Sequence, residues 1–133
     1  MESVIDTLQD GNNFTEFLRL IFKADFSELL EKEGLYTVLA PVDSAFKNLP
    51  DNVYEELAKD KEKAKQVVAE HIITGRYAYA DLLEIDEVIN MNNRNLAVED
   101  HNEGLIIGGA KVIESNIECS NGLVQTIDVV MLS

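Results

Sequence analysis

The stretch Tyr36-Thr37-Val38-Leu39-Ala40-Pro41-Val42-Asp43-Ser44-Ala45-Phe46 limits what this chain can fold into more than any other. Tyr36 to Leu39 is apolar and β-branched, the composition of a buried strand. Pro41 has no backbone N–H and ends the strand pairing. Asp43 then stands at the N-cap position of a short helix that begins at Ser44. Strand, corner and capped helix follow one another with no room for a linker.

A chain of 133 residues is one domain with a core of useful size. The balance of 11 Lys and Arg against 25 Asp and Glu leaves a formal charge of −14. Nucleic acid is excluded as a partner, because phosphate binding needs an excess of cations. An anionic lipid surface is disfavoured for the same reason. No apolar run approaches the length of a membrane span, so no direct membrane insertion is expected of this segment. The single cysteine, Cys119, cannot form an internal disulfide. Met1-Glu2-Ser3 does not open a signal peptide, since neither a basic start nor an apolar stretch follows. The chain is therefore read either as cytosolic or as one domain cut from a longer exported chain.

Helical patterns dominate the first half. Val4, Ile5 and Leu8 begin a short helix. Gly11-Asn12-Asn13 is a turn, and Asn13 with Glu16 reads as a capping box for the next helix. Phe14, Phe17, Leu18 and Ile21 form its core stripe. Phe26, Leu29 and Leu30 repeat the pattern, with Asp25 or Ser27 as cap and Gly34 as terminator. Val53 to Leu57 is helical. A stronger helix runs from a cap at Asp60 to Ile73, with Val67, Val68 and Ile72 on one face and Gly75 beyond its end. The Lys/Glu run from Lys59 to Lys65 is its solvated side. Asp81-Leu82-Leu83 is a single helical turn.

Strand patterns dominate the last third. Val88 to Met91, Arg94 to Glu99, Leu105 to Ile107 and Lys111 to Glu118 are short strands. Asn121-Gly122 signals a hairpin, because both residues accept positive φ. Leu123 to Leu132 reads as one long strand. Alternation places Ile113, Ile117 and Cys119 on the core face of the preceding strand, with Val112, Glu114, Asn116 and Glu118 opposite. Helices first and strands later, with one strand inside the helical half, define an α+β fold.

Three segments in order resemble the fasciclin domain. Thr37, Ala40, Pro41, Asp43, Ala45 and Phe46 match its first motif, with Leu39 and Val42 as departures. His71, Gly75 and Tyr77 match the middle segment, where Glu70 replaces a tyrosine. Asn121, Gly122, Ile127, Asp128 and Val130 match the last motif, where Gln125 replaces a histidine. The resemblance covers nearly the whole chain. It implies short helices packed beside a wedge of β-strands, with the first and last motifs on neighbouring strands in the core. It also implies a non-enzymatic module for adhesion, extracellular or at the cell surface, binding a protein or surface partner and monomeric as an isolated domain. Contacts in animal members have been assigned to the tyrosine-histidine segment and to Asp-Ile dipeptides. His71 and Ile72 match the former; Ile127-Asp128 stands in reversed order at the latter. These four are the partner-binding candidates carried over.

His71 is either a partner contact or a ring packed near a helix C-terminus, where the helix dipole favours it. His101 sits in a polar turn. Asp81, Glu84, Asp86 and Glu87 form the densest acidic group, but no EF-hand spacing is present, so no metal is expected. Ser44 lacks a nucleophile elbow and a base. Gly108-Gly109 is a turn and not a phosphate loop. No catalytic residue and no cofactor are expected. An alternative reading makes the Phe14, Phe17, Phe22 and Phe26 set a site for an apolar small molecule.

Overall fold

The computed structural model describes residues 4–11, 13–26, 36–47, 49–101, 104–119 and 122–131. Helices α1 (Val4–Asp10) and α2 (Thr15–Lys23) lead into strand β1 (Tyr36–Pro41). Helices α3 (Asp43–Phe46), α4 (Asp51–Lys59) and α5 (Lys61–Glu70) follow, then β2 (Ile72–Thr74) and α6 (Tyr79–Leu82). The chain ends in β3 (Glu87–Ile89), β4 (Asn95–His101), β5 (Gly104–Ile107), β6 (Ala110–Cys119) and β7 (Gly122–Ile127). The fold is α+β. The helix expected around Leu29 and Leu30, with Ser27 and Gly34, lies outside the described residues, as do Asn121 and the side chains of His101, Asn116, Glu118 and Cys119.

The seven strands form a sheet in the order β2-β1-β7-β6-β5-β4-β3. Its two edges meet again: Ile73 of β2 bridges Asn90 just after β3, and the Met91 N–H donates to the Ile72 carbonyl at 2.9 Å. The sheet thus curls around an inner core of Leu39, Ile73, Leu105, Ile107 and Ile127. A second core lies between the helices and the outer face of β1 and β7, around Phe17, Leu20, Ile21, Val38, Val68 and Val124. Both faces of β1 and β7 are covered, so almost every residue of these strands is buried. That explains their near-continuous apolar composition.

β1 and β7 pair in parallel, with Val38 opposite Val124 and Ala40 opposite Thr126. The first and last motifs are thereby adjacent strands. Gly122 lies opposite Tyr36, and a Cβ on Gly122 would collide with the Tyr36 carbonyl oxygen. The glycine of the last motif is required by that backbone approach.

Four expectations need correction. The strong helix does not reach Ile73: α5 ends at Glu70, and Ile72 and Ile73 pair with Val38 and Thr37 in β2. An apolar run at a helix end fits either periodicity, and here the open edge of β1 claims it. The last strand stops at Ile127 instead of Leu132. There Asp128 accepts the Lys111 N–H on Oδ1 at 3.0 Å and returns its own N–H to the Lys111 carbonyl at 3.2 Å. The face assignment of β6 is reversed at its start: Val112 is buried and Ile113 is half exposed. Register shifts between Val112 and Glu114, and again between Glu114 and Ile117, break the alternation. The capping box at Asn13 is absent, because α2 has Phe14 at its N-cap position with no cap from a local side chain.

Asp60 does cap α5, accepting from the N–H groups of Glu62 and Lys63. Lys61 and Lys63 on that helix pair with Asp25 and Glu56 at 2.6 and 2.9 Å on the solvent side.

Candidate functional site

The polar residues of the three motifs gather along β1 and β7, on both faces of the sheet and at the corner after β1. Asp43 is the first. It was expected to cap the helix that follows it, but α3 includes Asp43 as its first residue and Val42 occupies its N-cap position, with no side-chain cap bond. The Asp43 Oδ1 instead accepts the N–H of Glu16 at 2.9 Å, at the start of α2. The Asp43 N–H donates to the Asn13 carbonyl at 2.9 Å. The carboxylate therefore serves a helix distant in sequence, meeting the positive end of its dipole.

Thr37 is fully buried in β1. Its hydroxyl donates to the Gly75 carbonyl at 2.7 Å and accepts the Tyr77 N–H at 2.8 Å. Gln125 of β7, also fully buried, donates from Nε2 to the Tyr77 carbonyl at 3.2 Å. One hydroxyl and one amide thus hold the 75–77 loop across two strands. Gly75 has φ +113, outside the range that side-chain-bearing residues favour, and the Tyr77 ring lies against it. Ala40, Ala45 and Phe46 are buried in the core, and Pro41 closes β1.

His71 belongs to the helical core. It is fully buried at the end of α5, edge-on to the Phe17 ring at 5.5 Å between centroids. Nδ1 lies 2.7 Å from the Val67 carbonyl, and Nε2 accepts the Met131 N–H at 2.9 Å. A carbonyl can only accept and an amide N–H can only donate, so the ring is neutral with its proton on Nδ1. Burial pushes the His71 pKa down to about 4, against smaller upward effects of the Val67 bond and the Glu70 charge. Beside it, the buried Glu70 carboxylate accepts from Asn92 Nδ2 at 2.9 Å and lies 3.8 Å from Arg94 Nε. Asn90, also buried, accepts the N–H groups of Asn92 and Arg94 on Oδ1.

Of the four partner-binding candidates, His71, Ile72 and Ile127 have no exposed surface. Asp128 is partly exposed, with one oxygen committed to Lys111. In this fold the first three act through packing, and a partner cannot touch them. The aromatic set proposed for a small molecule is likewise divided. Phe14 and Phe17 are core, Phe26 packs against it, and Phe22 is exposed. Asp81 of the acidic group accepts the Ala78 N–H at 3.0 Å. Among the described residues, no group of three or more His, Cys, Asp or Glu is arranged to hold a metal ion. No described helix is long and apolar enough to cross a membrane.

Two of the surface grooves among the described residues lie near the start of α2. One, of about 610 Å³, lies between Phe46, Tyr54, Lys47 and Glu55. Its polar groups are engaged: Asp43 holds the Glu16 N–H, and the Tyr54 hydroxyl accepts from Arg19 Nη1 at 3.1 Å. The other, of about 450 Å³, runs between the end of α1 and β6. Sequence periodicity missed it, because it is opened by the register shifts that turn Ile113 outward.

The fasciclin-domain family model matches residues 12–133. The chain belongs to the fasciclin-domain family. It is 27% identical to the uncharacterized protein sll1735 of Synechocystis sp. over 132 residues, 99% of this chain and 98% of that protein. It is also 27% identical to transforming growth factor-beta-induced protein ig-h3 of Sus scrofa, over 98% of this chain but 19% of that much longer protein. Among solved structures it resembles a FAS1 domain pair from the insect cell adhesion molecule Fasciclin I. The TM-score is 0.89 at 16% identity, over 99% of this chain and 51% of that one. The chain thus spans about half of the solved pair.

Proposed function

We propose that this domain is a non-enzymatic adhesion module that works outside the cell or at its surface and binds a protein or surface partner. Membership of the fasciclin-domain family carries the reading, together with the likeness to a domain of a cell adhesion molecule. The disposition of the polar side chains supports it. His71 and Asp43 are each tied to backbone atoms, and His71 has no access to solvent. What the domain offers a partner is its surface: a strongly acidic exterior with exposed Phe22, Leu83, Ile89 and Ile113. Recognition of that kind is a matter of shape and charge and requires no reactive group.

Surface proteolysis of intact source cells tests the location. The domain is expected to be cleaved from outside, and a product protected until lysis overturns the reading. Beads coated with the domain test adhesion: they are expected to attach to source cells more strongly than beads coated with an equally acidic unrelated protein.

A further inference from the structure

The groove between α1 and β6 has an unusual floor. Thr126 of β7 is 2% exposed, and its Oγ1 is buried without a hydrogen-bond partner. A buried hydroxyl left unpaired is unfavourable, and nearly all such groups in folded proteins find a partner. Thr126 lines the groove, and so do Phe14, Val42 and the half-exposed Ile113. Asp10 and Glu114 stand at the rim, both exposed. Among the described residues, no Lys or Arg lines the groove. The site is therefore a largely apolar slot with negative charge at its mouth.

We propose that this groove seats an apolar side chain of a protein partner, carried on an extended segment with Lys or Arg beside it. The inference rests on the reading of the domain as a partner-binding module and names where and what it binds. An extended peptide supplies both complements at once. Its aliphatic side chain covers Phe14, Val42 and Ile113. Its cations meet Asp10 and Glu114. A volume of about 450 Å³ suits one large side chain and its flanking backbone. Apolar anchors ringed by charge are the usual form of an interface hot spot. The groove opens on the helical face of β7, opposite the inner core, so filling it leaves the packing of Leu39 and Ile127 untouched.

The test is an NMR titration with capped pentapeptides. Gly-Arg-Leu-Arg-Gly is expected to shift the amides of Phe14, Ile113, Glu114 and Thr126 in a saturable manner. Gly-Glu-Leu-Glu-Gly and Gly-Arg-Gly-Arg-Gly are expected to bind at least about tenfold more weakly, since each lacks one complement. Glu114→Lys, a solvent-facing change, should weaken the first peptide by a similar factor. Equal binding of the leucine-free peptide, or shifts spread over the whole acidic surface, would reduce the effect to unspecific charge and overturn the proposal. Saturation of the same amides by 1-hexanol, with no response to the peptide, would make the groove a small-molecule site and overturn it too. Beads separate this inference from the adhesion reading. Wild-type beads that fail to attach overturn adhesion itself. Wild-type and Glu114→Lys beads that attach equally overturn only the groove.

Discussion

Asp43 and Glu16 stand 27 residues apart in sequence, and the carboxylate of one caps the helix of the other at 2.9 Å. The bond ties the corner after β1 to the start of α2, which has no cap of its own. Asp43→Ala is expected to cost about 1 kcal/mol, up to about 2, and Asp43→Asn less, because the amide oxygen still accepts. Urea unfolding gives the magnitude. Hydrogen exchange identifies the helix served: the Glu16 amide should lose protection in Asp43→Ala, whereas loss confined to Ala45 and Phe46 would return the cap to α3.

Neutral His71 makes stability depend on pH. Its folded pKa is lowered from 6.5 to about 4, first by burial. Between these values the unfolded chain binds a proton that the folded chain does not. Stability from this group is therefore full above 6.5 and is lost progressively as pH falls towards 4. The whole effect is about 3 kcal/mol. NMR of the imidazole checks the assignment: the ring should retain its neutral Nδ1–H form at about pH 5.5, where a free histidine is mostly charged. A ring that titrates near its ordinary value while the protein stays folded would refute it.

Thr37 supports the 75–77 loop with one oxygen that both donates and accepts. Thr37→Val keeps the shape and leaves the Gly75 carbonyl and Tyr77 N–H unpaired, at an expected cost of about 1–3 kcal/mol. Thr37→Ser should recover most of it. Chemical denaturation of the two variants side by side decides the matter, since equal losses would assign the effect to packing and not to the hydroxyl.

Gly122→Ala should be among the most damaging small substitutions in the domain. The added methyl meets the Tyr36 backbone across the parallel pair, so the strands must separate or shift, at about 1–3 kcal/mol. Gly109, in the β5–β6 turn, has open space around its Cα and a φ of +87. Gly109→Ala is expected to cost only the strain of that conformation, about 1 kcal/mol. Thermal unfolding of both variants should rank them in that order.

Strand, corner and hairpin were legible because each depends on residues adjacent in sequence. β1, the Asp60 cap and the β3–β6 ladder follow from local pattern. Other features depend on partners far along the chain. Ile72 and Ile73 fit a helix until the edge of β1 is known to lie open beside them. Asp43 announces itself as a cap, but only the packed structure says of which helix. The outward turn of Ile113 comes from register shifts in β6, and alternation has no means of anticipating an inserted residue. Of the partner-binding candidates carried over from the family motifs, His71, Ile72 and Ile127 are buried. Their burial shows that a motif can be dense in polar groups because the interior needs them.

The parallel pairing of β1 with β7 also sets an order of events. β7 lies between β1 and β6 in the sheet and is the last strand of the chain. Until it arrives, a growing polypeptide has a helical half ending in β1 and β2 and a ribbon of β3 to β6, joined among the described residues by the short contact of Ile72 and Ile73 with Asn90 and Met91. Each half then exposes a bare strand edge, of β1 and of β6, able to pair with another molecule. Closure over so long a separation is slow compared with the local hairpins. A ribosome that stalls before Gly122 would release two sticky half-sheets, whereas a few residues more let β7 close the gap, satisfying both edges in a single step.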